Sequence, residues 1–440
     1  MDIENSSFLI HQTLLPSYGP ELPHPSEYVL SENIDDHITR LLTSYSVDIN
    51  HGFLPYPDPL HQLPLSSKFG CWEMIMMDLS QYLHAKNIRS IILSRLKIIA
   101  IEQDDLLDER EFQRALLILA VLSHAFVWGE KPVSTYIPAC LAIPWVELTR
   151  RACRPPILTH ALMVLTNWKR FDLEKPIELG NIGILNGFLS GTDEANFYLI
   201  TVELEYRGAK ALKHMLRAQY FASNENEKEL INELKMIENI QKTILNTLAK
   251  MFNEVDPYIF YNRVRNFLSG WKGNPLLPDG MLYEGISEIP QSIHGASAAQ
   301  SSLIAAFDVF FNVKHDSEQT HEFINEMRRY MPLKHRQFLE MLAKHAHHLN
   351  DYINKFTSSE NELRQAYSAC IDQLVEFRNK HIQIVALYIL AQMRKNNNNP
   401  NSSEQENDDA SLATRGTGGT ILMPFLKTCR DETKLQREKH

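Results

Sequence analysis

An all-α fold is what this sequence predicts. Apolar residues recur at helical spacing over six long segments, while alternating strand patterns are few and short. Residues 1 to about 30 carry four prolines and little periodicity, so they read as an irregular arm. From about residue 35 onward, helices are expected over Lys86–Ile101, Phe112–Trp128, Ala195–Ser223, Glu227–Phe252, Ser297–Phe311 and Glu360–Gln392. The glycine-rich stretch Glu178–Gly191 interrupts them and marks a boundary between a small helical domain, 31–188, and a large one, 189–440. A polar, asparagine-rich run then predicts a mobile loop over 395–415. It leads into Gly416-Thr-Gly-Gly419 and a short apolar helix from Ile421. A tether that ends in a glycine turn suits a closing lid; the plain alternative is a linker to a terminal helix.

Composition narrows the class. The chain has 440 residues, 44% apolar and 22% charged, as ordinary globular proteins do. The net charge of −10 with interspersed signs offers no basic stripe for nucleic acid or an anionic membrane. Apolar runs such as Arg114–His124 are too short to span a bilayer, and Met1–Ser7 lacks the features of a signal peptide. Five cysteines without Cys-x-x-Cys spacing suggest reduced thiols. The expected compartment is the cytoplasm.

The residue with the clearest chemistry is His381. At helical spacing it shares a face with Leu374, Phe377, Ile384, Val385 and Tyr388, which aims the imidazole into an apolar interior. A neutral imidazole there suits the proximal ligand of a buried haem iron; a core histidine bonded to a carbonyl is the bland alternative. The rival cluster His345, His347 and His348, with Asp351 beyond it, matches no metal signature and reads as a solvated helix end. No Cys-x-x-Cys-His motif is present, so haem would not be covalently attached.

Three further segments are ambiguous on their own. In His294-Gly-Ala-Ser-Ala-Ala-Gln-Ser-Ser302, small residues would let backbone approach a flat ring, and a serine-rich helix start suits a carboxylate. A packed helix start capped by Ser297 explains it equally well. In Phe260-Tyr-Asn-Arg-Val-Arg-Asn-Phe267, a helix would align Phe260, Val264 and Phe267 and set Tyr261 beside Arg265. That arginine would suit an amino-acid carboxylate, or else a surface salt bridge. Phe197 and Thr201, four apart, face one way, and alone they read as core.

With Phe267-Leu-Ser-Gly-Trp-Lys-Gly-Asn-Pro-Leu-Leu-Pro-Asp-Gly280 and Thr414-Arg-Gly-Thr-Gly-Gly-Thr420, these segments closely resemble the indoleamine 2,3-dioxygenase family. The resemblance runs over nearly the whole chain past the arm. It implies haem b, one per chain, and a two-domain all-α fold. It also implies that O2 adds across the indole pyrrole double bond of L-tryptophan to give N-formylkynurenine, in a monomer kept ferrous by an electron donor. By match of position, His381 is the iron ligand, with Arg378 and Asp308 as an ion pair on the proximal side. Ser297 and Ala298 match the haem edge. Phe197 matches the aromatic that stacks near the indole, Phe260 the aromatic that grips substrate, Arg265 the arginine on the substrate carboxylate or a haem propionate, and Thr417 a loop threonine that closes over substrate.

Four positions depart from the efficient members of that family: Thr201 for serine, His160 for tyrosine, Tyr261 for phenylalanine and Ala296 for glycine. The Thr201 methyl group narrows the distal pocket, which predicts low affinity for tryptophan. The alternative class is a reversible O2 store related to the family, for which Arg265 and Phe260 would have no use.

Overall fold

The computed structural model describes residues 33–356, 361–397, 416–418 and 421–438. The expected N-terminal arm and positions 398–415 of the expected loop lie outside the described residues. Sixteen α-helices and four very short strands form the described chain. The helices are α1 Ile34–Ser44, α2 Gly70–Met77, α3 Leu79–His84, α4 Ile88–Arg95, α5 Glu109–Trp128, α6 Ala139–Arg151, α7 Thr192–Ser223, α8 Glu227–Ala249, α9 Met251–Glu254 and α10 Pro257–Ile259. There follow α11 Ser302–Phe310, α12 Glu318–Arg328, α13 Leu333–Asn354, α14 Glu362–Val385, α15 Ala391–Asn397 and α16 Leu422–Glu438. The strands β1 Tyr136–Ile137 and β4 Leu282–Tyr283 pair in parallel, and β2 Trp168–Arg170 with β3 Ile182–Ile184 pair antiparallel. The all-α expectation holds.

Helix α5 is the clearest link from sequence to packing. Asp108 caps it by accepting from the amides of Arg110 and Glu111, and every residue from Arg114 to Val127 is buried. A helix apolar on all sides has to be enclosed. It is also long and apolar enough to cross a membrane, but most of it is buried inside the protein. The hairpin α7–α8 turns through only residues 224–226, with Asn226 capping α8. Helices α7, α8 and α14 pack side by side, and α16 lies along α14.

The structure corrects several helix limits. Helix α4 stops at Arg95 because Leu96 turns extended and the β-branched pair Ile98–Ile99 follows. The expected Ser297–Phe311 helix is a 3-10 turn, Ala298–Gln300, and then α11. Ser301 breaks it by capping α11 while its hydroxyl donates to Glu205 Oε1 at 2.7 Å. The last long helix runs through a π turn, Ala386–Leu390, into α15, so residues 395–397 are helix rather than loop. Asn396 anchors them by donating to Asn262 Oδ1 at 2.8 Å. The expected Phe260–Phe267 helix is a π turn, Phe260–Val264, followed by a 3-10 turn, Arg265–Leu268. His345 and His348 sit within α13 rather than at its end, and His345 is buried.

One buried ion pair joins α2 to α5. Arg114 donates to Glu73 through Nε and Nη2 at 2.7 and 2.8 Å, and Glu73 also accepts from the Leu63 amide. Both side chains are almost fully buried. Removing one partner strands the other charge, so Arg114→Ala should cost about 3–5 kcal/mol of stability in chemical denaturation.

Candidate active site

Helix α7 presents Phe197, Thr201 and Glu205 at intervals of four residues, one above another on one face. The Phe197 ring packs on Phe260 at 4.4 Å, and Phe260 meets Tyr388 edge-on at 6.0 Å. Phe260 and Tyr388 each belong to a π turn, a rare local widening that re-aims side chains and recurs at functional sites. Tyr388 is held in place by donating to Val255 O at 2.7 Å. Thr201 donates to Phe197 O at 3.2 Å, which ties its hydroxyl to the helix backbone. Arg265 is buried, not a surface arginine, with its guanidinium 5.6 Å from the Tyr261 ring. A buried arginine beside aromatics is suited to a carboxylate.

Helix α14 carries His381 with the expected apolar neighbours, and its ring faces a cavity. Burial, and secondarily the charge of Arg378, lowers its pKa from 6.5 to about 4. The imidazole is therefore neutral near pH 7, the form that ligates a metal. One turn before it, Arg378 pairs with Asp308 of α11. Burial would raise the Asp308 pKa, yet Arg378 and His315 hold it down at about 2.

A third wall comes from loops. Ala296 donates its amide to Leu268 O at 3.2 Å, and Ser297 caps the short turn after it, not a long helix. Thr417 lies directly on this wall: its hydroxyl donates to Ala296 O, and its own carbonyl accepts from the Gly270 amide at 3.2 Å. Gly295 makes this possible, because a Cβ there would overlap the backbone of Gly270, Leu268 and Thr417. His294 reaches Gly418 O with Nδ1 and Glu326 Oε2 with Nε2, at 3.1 Å for the latter.

These walls enclose one cavity of about 630 Å³, within the range of small-molecule and cofactor sites. The eleven residues assigned a haem or substrate role from the sequence all line it, as does Ala296, whereas Tyr261 does not. His160, Phe197, Thr201, Phe260, Arg265 and Thr417 are joined there by Ser297, Ala298, Asp308, Arg378 and His381. Sequence reasoning missed Glu205, His315 and Arg328, which line it too. Glu205 is buried and accepts from His160 Nε2 at 3.2 Å and from Ser301, so His160 is part of a polar corner rather than a plain aromatic wall. The available signal was its place four residues beyond Thr201 on the same face.

The comparisons with known proteins decide the family. The family model described as indoleamine 2,3-dioxygenase matches residues 41–436. The chain belongs to the indoleamine 2,3-dioxygenase family. It is 35% identical to indoleamine 2,3-dioxygenase 2 of Homo sapiens over 91% of this chain and 96% of that one. It is 34% identical to the indoleamine 2,3-dioxygenase of Saccharomyces cerevisiae, over 89% and 93% of the two chains. A 6-hydroxytryptophan 2,3-dioxygenase of Fusarium equiseti is 30% identical over 91% of this chain and 98% of that one. Members of this family are haem-dependent oxidoreductases that use tryptophan and O2, and this chain is a dioxygenase of that kind.

The buried histidines make a pH prediction. His124, whose Nδ1 donates to Phe267 O while Nε2 accepts from the Leu158 amide, is lowered by burial to about 4. His335 is lowered to about 3 by burial and then by Arg154, and His381 lies near 4. Between pH 6.5 and 4 the unfolded chain binds these three protons and the folded apoprotein does not. Stability is therefore present above the unfolded pKa and lost as pH falls. At pH 5 these groups alone should lower stability by about 4 kcal/mol per pH unit, measurable by denaturant titration of the apoprotein.

Proposed function

We propose that this cavity holds one haem b, with His381 as the iron ligand, and that the chain converts L-tryptophan and O2 to N-formylkynurenine. The observation that carries the reading is a neutral, cavity-facing His381 on one wall with Phe197, Phe260 and the buried Arg265 converging on the same space. The residues fit the group. The wall is largely apolar, and Ala296, Ser297 and Ala298 leave room for a flat ring edge. Among the described residues Arg378 Nε and Arg328 Nε are buried without a hydrogen-bond acceptor, so cationic donors stand ready for propionates. When bound, ferrous haem supplies the binding and activation of O2.

The protein's part is to bind and orient. Arg265 grips the substrate carboxylate, and Phe197 and Phe260 hold the indole by stacking. Thr417, seated on the Ala296 wall, closes the cavity against water. No side chain needs to remove a proton. Thr201 is unsuited to that task, because its hydroxyl is already committed to Phe197 O. Arg265 also separates this reading from reversible O2 storage, which has no need of a buried carboxylate clamp. The reading includes two lobes, 31–188 supplying His160 and 189–440 supplying the rest. It further includes a cytoplasmic monomer served by a separate electron donor.

Low tryptophan affinity is part of the proposal. With the Thr201 hydroxyl bound to Phe197 O, its rotamer is set and its methyl group takes fixed space beside the indole. His160 is drawn to Glu205 and stacks less well than a tyrosine.

Three experiments test the reading. His381→Ala should yield folded protein with little haem and no Soret band; full haem occupancy with an unchanged spectrum would remove the ligand assignment. Arg265→Ala should lower kcat/KM by about 2–5 kcal/mol of transition-state binding while ferrous O2 binding survives. Thr201→Ser with His160→Tyr should lower KM for tryptophan at constant haem content; an unchanged KM would place the weakness elsewhere.

A further inference from the structure

Beside His381 runs a row of buried charges, and the reading above gives no role to its outer members, His315 and Glu432. Arg378 on α14 pairs with Asp308 on α11. His315, in the loop after α11, sets Nε2 at 3.7 Å from Asp308 Oδ2 and donates Nδ1 to Glu432 Oε2 at 2.6 Å. Glu432 lies on α16, and its other oxygen accepts from the Ser317 amide at 3.1 Å. The four side chains are no more than 14% exposed, and their signs alternate: plus, minus, plus, minus. Arg328 faces Asp308 from α12, and the Cys429 thiol lies beside His315 and Glu432.

The structure assigns His315 and Glu432 as positioning residues. Through Asp308 they hold Arg378 one turn before His381, and they thereby set the reduction potential of the iron that His381 would carry. This rests on the haem reading above. Burial would strip the proton from His315, but Asp308 and Glu432 on its two ring nitrogens outweigh burial and raise its pKa. Wedged between two carboxylates, His315 is thus shifted toward its protonated, cationic form. Ferric iron carries one more positive charge than ferrous, so any change of charge in this row biases the couple at low local dielectric. The same row clamps α16, the helix that follows the Thr417 segment, onto the proximal side. A metal ion at His315, Cys429 and Glu432 is the competing reading. It is weaker, because His315 and Glu432 already satisfy each other and burial pushes the Cys429 thiol up to about 12.

Haem-loaded parent, His315→Gln, His315→Lys and Glu432→Gln would be compared by spectroscopic redox titration, with haem content and far-ultraviolet dichroism as folding controls. His315→Gln removes a positive charge and should lower the potential. Glu432→Gln removes a negative charge and should raise it, and His315→Lys should stay near the parent. General loosening of the fold would move all three the same way. Shifts of one sign, or none, would overturn the assignment while leaving haem binding and tryptophan turnover intact. If His315→Gln fails to hold haem, the sign of the Glu432→Gln shift decides alone. A parent that takes up no haem would overturn both readings. One equivalent of zinc retained by the parent and lost from Cys429→Ala would replace the charge row with a metal site.

Discussion

The Asp308–Arg378 pair is the interaction on which the site depends. The walls of a cavity of about 630 Å³ are not packed on one another, so their positions depend on contacts made beside it. The pair ties α11 to α14 one turn before His381, where burial first and the Arg378 charge second keep the imidazole neutral. Without Asp308, the buried guanidinium of Arg378 would be uncompensated, and α14 would be the helix to shift. His315 and Glu432 extend the brace to α16.

The wall opposite His381 is built on a different device, local departure from the α-helix. The two π turns, at Phe260–Val264 and Ala386–Leu390, give Phe260 and Tyr388 positions that regular 3.6-residue spacing would not. Ser301 interrupts the helix after the Ser297 wall, because one hydroxyl both caps α11 and bonds Glu205. These breaks place small residues and loop backbone around the cavity, where a continuous helix would have put long side chains. The close backbone approach of Gly270 and Gly295 lets the Thr417 segment rest directly on that wall.

Electrostatics separate the two faces. On the His381 side the charges alternate and compensate one another. Across the cavity, Arg265 is the cation that an anionic substrate would meet, and Glu205 with His160 forms a hydrogen-bonded corner two helical turns from Phe197. A substrate that brings its own carboxylate completes the first arrangement and leaves the second untouched.

Helical class, the long elements α5, α7, α8 and α14, and the apolar face bearing His381 were legible in the sequence, because 3.6-residue periodicity is a local property of the chain. The family was legible as well, since its motifs are contiguous. The break at Ser301 was not, because it depends on Glu205, distant in sequence; nor were the end at Arg95, the two π turns and the burial of His345, which no contiguous pattern marks. Glu205 illustrates the limit: on α7 it looks like any acid, and only the approach of His160 and Ser301 makes it part of a pocket. His315 and Glu432 are 117 residues apart and carry no motif, so the charge row exists only once α16 has packed on α14. What the sequence determined by itself is periodicity and kinship; which charges face one another was decided by tertiary packing, because burial forces pairing but does not name the partner.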